Sequence, residues 1–225
     1  MVRFLGNRVE EACGGVDPLA EPLPEADPEP VGPDRLARQV ADRVAGAVDG
    51  ARKGEVSFGA RVEPLEGDGG TLAVLFRADL DAYTVSKGVL ARCVTPRTDS
   101  PPGWFDTEGL GETVGRLRAT TTDSVVLFGP VEGGVRVVPA AAIGALADER
   151  DRVPPRFPGA LYSKSVGRFF EEFMECFIGD WTVEDGLPEG WAERAGRLLV
   201  VEASEAADPE PPEPAGETAT LDQFL

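Results

Sequence analysis

The sequence of 225 residues contains no histidine. Histidine is the usual base of catalytic triads and a common zinc ligand, so its absence excludes Ser/His/Asp and Cys/His nucleophilic catalysis and HExxH zinc chemistry. Any enzyme built from this chain must rely on carboxylates, lysine, tyrosine or a metal held by carboxylates. The sequence therefore identifies no catalytic residue, no metal ligand and no cofactor site.

Cysteines are few, and long apolar runs are missing. The three cysteines, Cys13, Cys93 and Cys176, are widely spaced and contain no CxxC pair. This pattern excludes a disulfide framework and the usual zinc-ligand spacing. No window approaches the ~18 apolar residues of a membrane span, and the start of the chain lacks the apolar core of a secretion signal. We expect a soluble, cytoplasmic protein that does not contact membranes.

Lysine is also scarce. The chain has 40 acidic and 22 basic residues, a net charge of -18, and its only lysines are Lys53, Lys87 and Lys164. An excess of acids with few lysines is typical of proteins that stay hydrated in molar salt, so the composition resembles that of haloarchaeal proteins. At about 1 M salt the Debye length is ~3 Å, and the net charge then neither repels DNA strongly nor steers partners from afar. Nonspecific duplex binding through clustered cations is disfavoured, because it weakens as salt rises.

Hydrophobic residues make up 42% of the chain, enough to build a core. Residues 1–16 form an amphipathic segment and 17–33 a Pro/Glu linker, followed by a body over 34–203. Apolar periodicity in the body predicts helices at 34–51, 107–120, 140–147 and 163–178, and strands at 56–64, 71–76, 88–95, 125–128, 135–138 and 198–201. We predict an α+β or α/β fold with a single mixed sheet flanked by helices.

Two stretches of the body carry more specific expectations. The glycine-rich residues 66–70 separate two strands, which predicts an antiparallel hairpin. The four phenylalanines of the helix 163–178 repeat at helical spacing. A core-facing stripe is a better interpretation of that spacing than a partner-binding face, because any buried amphipathic helix shows it. Cys176 lies at the edge of the stripe and is expected to be a small buried hydrophobe.

The predicted order over residues 34–131 is helix, three strands, helix, strand, which resembles the core order of PD-(D/E)xK nucleases. The resemblance implies an acid near the end of the second strand, Asp79 or Asp81, and a further acid, Glu55 or Glu63. It also implies Glu-x-Lys or Gln-x-Lys on the third strand, so that carboxylates hold Mg²⁺ and the lysine positions the attacking water. The third strand, 88–95, contains neither. We therefore expect a degenerate relative at most, in which Asp79 and Asp81 are solvated turn residues.

Arginines in the same region are candidates for contacting a nucleic-acid backbone, since guanidinium groups commonly bind phosphates. They are Arg92, Arg97, Arg116, Arg118 and Arg136. Such contacts require these side chains to share one face of the folded body.

Residues 204–217 are rich in proline and glutamate and are expected to form a disordered acidic spacer. The peptide 218–225 follows, and in it Leu221, Phe224 and Leu225 stand at i, i+3 and i+4. One helical turn gathers these three side chains on one face. Because an isolated turn is unstable in water, we expect it to form on a partner.

The peptide 218–225 resembles the PIP boxes that dock on the sliding clamp PCNA. In those peptides a glutamine is followed by an aliphatic residue at +3 and a hydrophobic or aromatic pair at +6 and +7, often as Thr-Leu-Asp-x-Phe-Phe in archaea. Leu221, Phe224 and Leu225 fall on the three apolar positions, although Leu225 replaces the second aromatic residue. Thr218 stands at the position of the glutamine. The resemblance implies that Thr218, Leu221, Phe224 and Leu225 contact PCNA.

We therefore expect a non-enzymatic accessory protein of DNA replication or repair, tethered to PCNA and meeting DNA only indirectly. One alternative is a PD-(D/E)xK-like metal-dependent nuclease, degenerate or active, that the same peptide recruits to the clamp. Another is a halophile-specific protein outside DNA metabolism, whose tail packs on its own body or has no partner.

Overall fold

A computed structural model describes residues 6–9, 31–81, 83–96, 104–131, 134–147, 152–154, 163–175, 178–181 and 186–205. Within these residues, eight strands form one mixed sheet with helices around it. The predicted fold class is thereby confirmed. None of the described helices is long and apolar enough to cross a membrane. The peptide 218–225, with its candidate residues Thr218, Leu221, Phe224 and Leu225, lies outside the described residues.

The described helices are α1 (Pro33–Val48), α2 (Leu110–Thr120), α3 (Ala140–Ala147), α4 (Val166–Met174) and α5 (Trp191–Arg194). The strands of the large sheet are β1 (Arg52–Lys53), β2 (Val56–Pro64), β3 (Thr71–Leu80), β4 (Tyr83–Val94), β6 (Ser124–Val131), β7 (Gly134–Pro139), β9 (Lys164–Ser165) and β10 (Arg197–Glu205). Their spatial order is β1-β2-β10-β3-β4-β6-β7-β9. The two remaining short strands, β5 (Phe105–Asp106) and β8 (Arg152–Val153), pair with each other.

Helices cover both faces of the large sheet. Successive strand residues point to opposite faces, and along β4 the side chain of Val89 joins one core cluster while that of Leu90 joins another. The cluster that contains Val89 also contains the buried sides of α1 and α4. The opposite face carries α2, α3 and α5, with Trp191 of α5 almost completely buried. The molecule is therefore a three-layer fold with a core on each side of the sheet.

The phenylalanines of α4 form a core face, as predicted. Phe169, Phe170 and Phe173 are buried, and the rings of Phe169 and Phe173 stack with their centroids 5.9 Å apart. The ring of Phe173 also meets that of Phe76 on β3 edge to face, at 6.3 Å. Aromatic pairs in such geometries stabilise a core by about 1 kcal/mol beyond the area they bury.

The helix is shorter than predicted at both ends, because it runs from Val166 to Met174 and Ile178 lies outside it. The side chain of Ser165 accepts a hydrogen bond from the backbone N–H of Arg168 and caps α4, and Ser165 itself pairs with Arg136 of β7. A serine at this position satisfies a backbone donor that the helix cannot. The fourth phenylalanine, Phe177, and Cys176 lie outside the described residues.

The predicted hairpin of β2 with β3 is wrong. Strand β10 lies between them, antiparallel to β2 and parallel to β3. Four successive residues of β10, 198–201, are buried. A strand that is apolar on both faces is stable only inside a sheet with both faces covered, so it takes a central position.

The glycines of residues 66–70 serve this insertion instead of a hairpin. The backbone N–H of Gly67 donates to the carbonyl of Ala195 at 3.1 Å. A Cβ on Gly196 would lie 2.5 Å from the Cα of Gly69, and a Cβ on Gly67 would lie 2.6 Å from the Ala195 oxygen. Only glycine permits the two segments to approach this closely.

The body is longer at its end than predicted. Residues 204 and 205 belong to β10 rather than to the acidic spacer, because Ser204 pairs with Ser57 and Glu205 with Val56. The Glu205 carboxylate also accepts a hydrogen bond from the backbone N–H of Asp81 at 3.0 Å. The remaining spacer residues, 206–217, lie outside the described residues.

At the start of the chain, residues 6–9 are helical, and Val9 is fully buried in the core cluster that contains α1 and α4. A Cβ on Gly6 would lie 3.0 Å from the Cβ of Glu171, so this helix lies close against α4. These residues of the amphipathic segment therefore pack on the body. Pro33, assigned to the linker, is instead the first residue of α1, a position that favours proline.

Candidate functional site

The candidate site lies at the carboxyl end of β4. β4 and β6 are parallel neighbours in the sheet, and α2 lies between them in sequence. In open α/β sheets, ligands bind outside the carboxyl ends of such strands. A cavity of about 520 Å³ is found there, lined by the end of β4, Asp106 of β5, the turn before α2 and the first two turns of α2. We call this cavity the groove.

The sequence around the start of α2 explains how this helix borders the groove. Gly109 adopts a left-handed conformation, with φ of 70°, and precedes the first helical residue. The N–H of Leu110 donates to the carbonyl of Thr107 at 3.0 Å, which fixes the turn. Leu110, Val114 and Leu117 are buried at i, i+4 and i+7, so one stripe of α2 packs on the sheet. Glu112, Thr113 and Arg116 lie between these buried residues and line the groove.

Arg92 of β4 supplies the most enclosed cation of the groove. Its Nη1 donates to the carboxylate of Asp68 and, at 3.3 Å, to the hydroxyl of Thr71. The guanidinium also lies against Gly70, where an added Cβ would be 2.8 Å from Nη1. The side chain is 21% exposed. These contacts hold the guanidinium in one orientation at the edge of the cavity.

Arg116 of α2 supplies a second cation. Its Nη2 donates to the hydroxyl of Thr113 at 3.3 Å, and its Nη1 lies 3.7 Å from the carboxylate of Glu112. A smaller cavity of about 180 Å³ shares Thr113 and Arg116 with the groove and adds Arg194 of α5. The sequence does not predict a role for Arg194, because nothing local to α5 relates it to β4 or α2.

The structure brings together only some of the predicted arginines. Arg92 and Arg116 line the groove. Arg118 is exposed on α2 and Arg136 is half-buried on β7, and neither lines it. Arg97 lies outside the described residues. Of the five candidate arginines, the structure therefore brings Arg92 and Arg116 to one site.

The candidate nuclease acids do not converge. Glu63 on β2 and Ala73 on β3 both pair with Leu198 of β10, so they lie level with each other in the sheet. Asp79 lies six residues further along β3 than Ala73. This offset is about 20 Å, so Glu63 and Asp79 cannot share a metal ion. Among the described residues, no group of three or more acids or cysteines is placed to hold a metal.

The carboxylates of the remaining candidates have other surroundings. Asp79 accepts a hydrogen bond from the hydroxyl of Thr84 at 3.5 Å and is exposed, like Asp81 in the turn that follows β3. Glu55 is exposed in the turn between β1 and β2. These positions match the interpretation of Asp79 and Asp81 as solvated residues near a turn.

The expectation that the third predicted strand contains no lysine is wrong. β4 begins at Tyr83 rather than at residue 88, so the third strand does contain a lysine. Lys87 is 0% exposed, and its Nζ lies 4.6 Å from the centroid of the Phe173 ring and 5.7 Å from that of Trp181. Val85 stands two residues before it, where the nuclease family has an acid. A cation enclosed by aromatic rings is suited to holding the core together rather than to positioning a water.

Lys87 also holds residues 178–181, a segment we call the strap. The Nζ of Lys87 donates to the carbonyl of Ile178 at 3.0 Å. β6 begins at Ser124, opposite Leu90, so it does not reach Gly88 of β4. The strap occupies that edge, because Gly88 and Asp180 exchange backbone hydrogen bonds of 3.1 and 2.7 Å.

Two aspartates fix the strap to the end of α2. The buried carboxylate of Asp180 accepts hydrogen bonds from the Thr121 hydroxyl at 2.9 Å and from the backbone N–H of Thr122 at 3.2 Å. The carboxylate of Asp123 accepts from the backbone N–H of Gly179 at 3.0 Å. The strap therefore joins β4, α2 and the start of β6 through charged side chains.

Comparison of the chain with protein-family models, curated proteins and solved structures found no match.

The side chains that line the groove supply guanidinium donors, carboxylates and the Thr113 hydroxyl. Cys93 of β4 also borders it, but burial raises the pKa of its thiol to about 12, so the thiol stays protonated and unreactive at neutral pH. This set of groups is suited to binding a polar ligand rather than to nucleophilic catalysis.

Proposed function

We propose that the protein is a cytoplasmic accessory factor of DNA replication or repair, tethered to the sliding clamp PCNA through the peptide 218–225. The observation that carries this proposal is the spacing of Leu221, Phe224 and Leu225, which one helical turn gathers into an apolar plug. Such a plug suits a halophile, because salts that are excluded from protein surfaces strengthen apolar burial. Thr218 would contact the clamp at the position where PIP boxes carry glutamine.

The extent of the folded body supports a tether. β10 ends at Glu205, so twelve residues, 206–217, separate the sheet from the peptide. Fully extended, a segment of this length spans at most about 40 Å. The plug can therefore engage a partner without the body touching that partner.

The surface of the body also bears on the alternative in which the tail packs on its own protein. Among the described residues, Trp181 is the one large apolar side chain classed as exposed, at 56%. Three apolar side chains need a pocket that surrounds them, and a single exposed ring supplies only one wall. This favours a separate partner over docking on the described surface.

The test is a calorimetric titration of the cognate clamp, in molar KCl, with the intact protein and with a form that lacks residues 218–225. We expect Phe224→Ala to weaken binding by ~2 kcal/mol or more, the typical cost of removing a buried aromatic anchor. Gln223→Ala is the matched control, because Gln223 lies off the face formed by the three apolar residues. Equal clamp binding by the intact and shortened proteins would refute the proposal.

Tryptophan fluorescence separates the proposal from packing of the tail on the body. If the tail covered Trp181, the shortened protein would show a shift in emission that the variant Trp181→Phe would lack. We expect the emission of the intact and shortened proteins to coincide. A shift that depends on Trp181 would support intramolecular docking instead.

A further inference from the structure

We propose that the groove binds a phosphate group through Arg92 and Arg116. Its volume of about 520 Å³ falls within the range of about 300–1,000 Å³ that is usual for small-molecule sites. The proposal concerns the body alone and does not depend on clamp binding.

The charges of the groove are arranged by depth. The side chain of Arg92 is 21% exposed, whereas those of Asp68 and Glu112 are 46% and 77% exposed. The carboxylates of Asp68, Glu108 and Glu112 are exposed and lie at the rim, whereas the guanidinium of Arg92 lies further inside. The carboxylate of Asp106 is half-buried and accepts a hydrogen bond from the backbone N–H of Glu108 at 2.9 Å. In concentrated salt the rim charges are screened by counterions, while a partly buried cation is screened much less. A ligand that reaches past the rim therefore meets the guanidinium of Arg92.

Arg92 is also prepared to receive an oxyanion. Its contacts with Asp68 and Thr71 both use Nη1, so the N–H groups on Nε and Nη2 remain without an acceptor among the described residues. A guanidinium offers five N–H donors in a fixed planar arrangement that matches the oxygens of a phosphate. Because its orientation is already fixed, little conformational freedom is lost when a ligand binds.

Arg116 stands across the groove wall on α2, and Arg194 continues the series into the adjoining cavity of about 180 Å³. A phosphate group can come from a small phosphorylated compound or from a nucleic-acid backbone. The recognition chemistry is the same in both cases, so the source is distinguished by experiment.

The test is titration of the full-length protein, at constant ionic strength, with inorganic phosphate, with deoxyadenosine triphosphate and with a short single-stranded oligonucleotide. We expect Arg116→Ala to weaken binding of the phosphate-bearing probe about tenfold, as expected for loss of one charge-assisted hydrogen bond. Arg118→Ala is the matched control, because Arg118 is an exposed arginine of the same helix that does not line the groove. That control should bind like the unaltered protein.

The probes separate the two sources. Binding of phosphate or the nucleotide that weakens in Arg116→Ala supports a small phosphorylated ligand, and binding of the oligonucleotide alone with the same weakening supports a backbone. The proposal is overturned if the intact protein binds none of the probes, or if the Arg116 and Arg118 variants lose affinity equally. Phe224→Ala, the variant that tests clamp binding, should leave all three titrations unchanged.

Discussion

Lys87 and Arg92 are two cations of the same strand that lie in different surroundings. Both lie on β4, five positions apart, so their side chains point to opposite faces of the sheet. Lys87 points into the core beside Phe173, where its Nζ contacts the ring face and donates to the carbonyl of Ile178. Arg92 points to the face of α2 and reaches the groove. The alternation of the strand therefore places one cation in a structural position and the other at a binding surface.

Cys93, next to Arg92, provides a prediction about alkaline stability. Burial raises the pKa of its thiol from 9.0 to about 12 in the folded protein. Between these two values the thiol of the unfolded chain ionises while that of the folded chain does not, so the unfolded state binds fewer protons. The free energy of unfolding contributed by this group is therefore constant below about pH 9 and falls as the pH rises through this window.

We expect the variant Cys93→Ala to lose this pH-dependent part. Its free energy of unfolding should be offset from that of the unaltered protein by a constant amount below about pH 9, and the offset should shrink at higher pH. Urea unfolding of both proteins across that range measures the difference, in which the titration of tyrosines and lysines cancels. A constant offset at every pH would show that Cys93 is not shielded from solvent.

Among the elements, the strap is held by polar contacts to β4 and to the end of α2, and Asp180 makes several of them. Removing its carboxylate in Asp180→Ala deprives the Thr121 hydroxyl and the Thr122 N–H of their acceptor. We expect a loss of about 2–3 kcal/mol in the free energy of unfolding, since hydrogen bonds to charged groups are worth more than neutral ones. Hydrogen exchange should also accelerate at the amides of Gly88 and Asp180, which bond to each other's segments.

Asp79→Ala is the control for the strap. Asp79 is exposed on the neighbouring strand, and among the described residues its carboxylate has only a long contact, with Thr84. Its removal should therefore change stability by no more than ~0.5 kcal/mol. If Asp180→Ala costs no more than Asp79→Ala, the strap is held by its backbone hydrogen bonds and not by the carboxylate.

Local patterns were sufficient to predict most elements but not their neighbours in the sheet. The helical spacing of the α4 phenylalanines and the apolar run of β10 are properties of short segments, and both predictions are confirmed. The insertion of β10 between β2 and β3 depends on contacts between residues far apart in sequence, which no local pattern encodes. The glycines at 66–70 suit both a hairpin and a close backbone approach, so they did not separate the two.

The groove was predicted in part for the same reason. Arg92 and Arg116 were identified as candidates because they belong to one stretch of the chain, and the parallel pairing of β4 with β6 brings them together. Arg194 belongs to α5, which is far from β4 and α2 in sequence, so no local pattern relates it to them. Lys87 was placed outside a strand because the apolar run that marks β4 starts only at residue 88, although its pairing with β3 begins at Tyr83.

At the scale of the whole molecule, the groove and the last residue of β10, from which the proposed tether would continue, lie at opposite ends of the sheet. β10 begins at Arg197, which pairs with Leu72 of β3, and the adjacent residue Thr71 pairs with Arg92 of the groove. From there β10 runs away from the groove and ends at Glu205. Nine residues of strand cover about 30 Å. If the body is tethered as proposed, the groove therefore lies on the side remote from the attachment, where it is accessible to a second ligand.

This arrangement gives a prediction that joins the two proposals. On a free clamp, a synthetic peptide of residues 206–225 and the whole protein should bind with affinities within about threefold, because the body adds no contact. On a clamp loaded on DNA, the whole protein should bind about tenfold more tightly than the peptide if the groove engages the backbone, since the tether supplies a millimolar effective concentration. Arg116→Ala should abolish this advantage and Arg118→Ala should retain it.

An advantage that survives in Arg116→Ala would place the DNA contact elsewhere on the body. Equal binding by the peptide and the whole protein on the loaded clamp would show that the body does not contact DNA there.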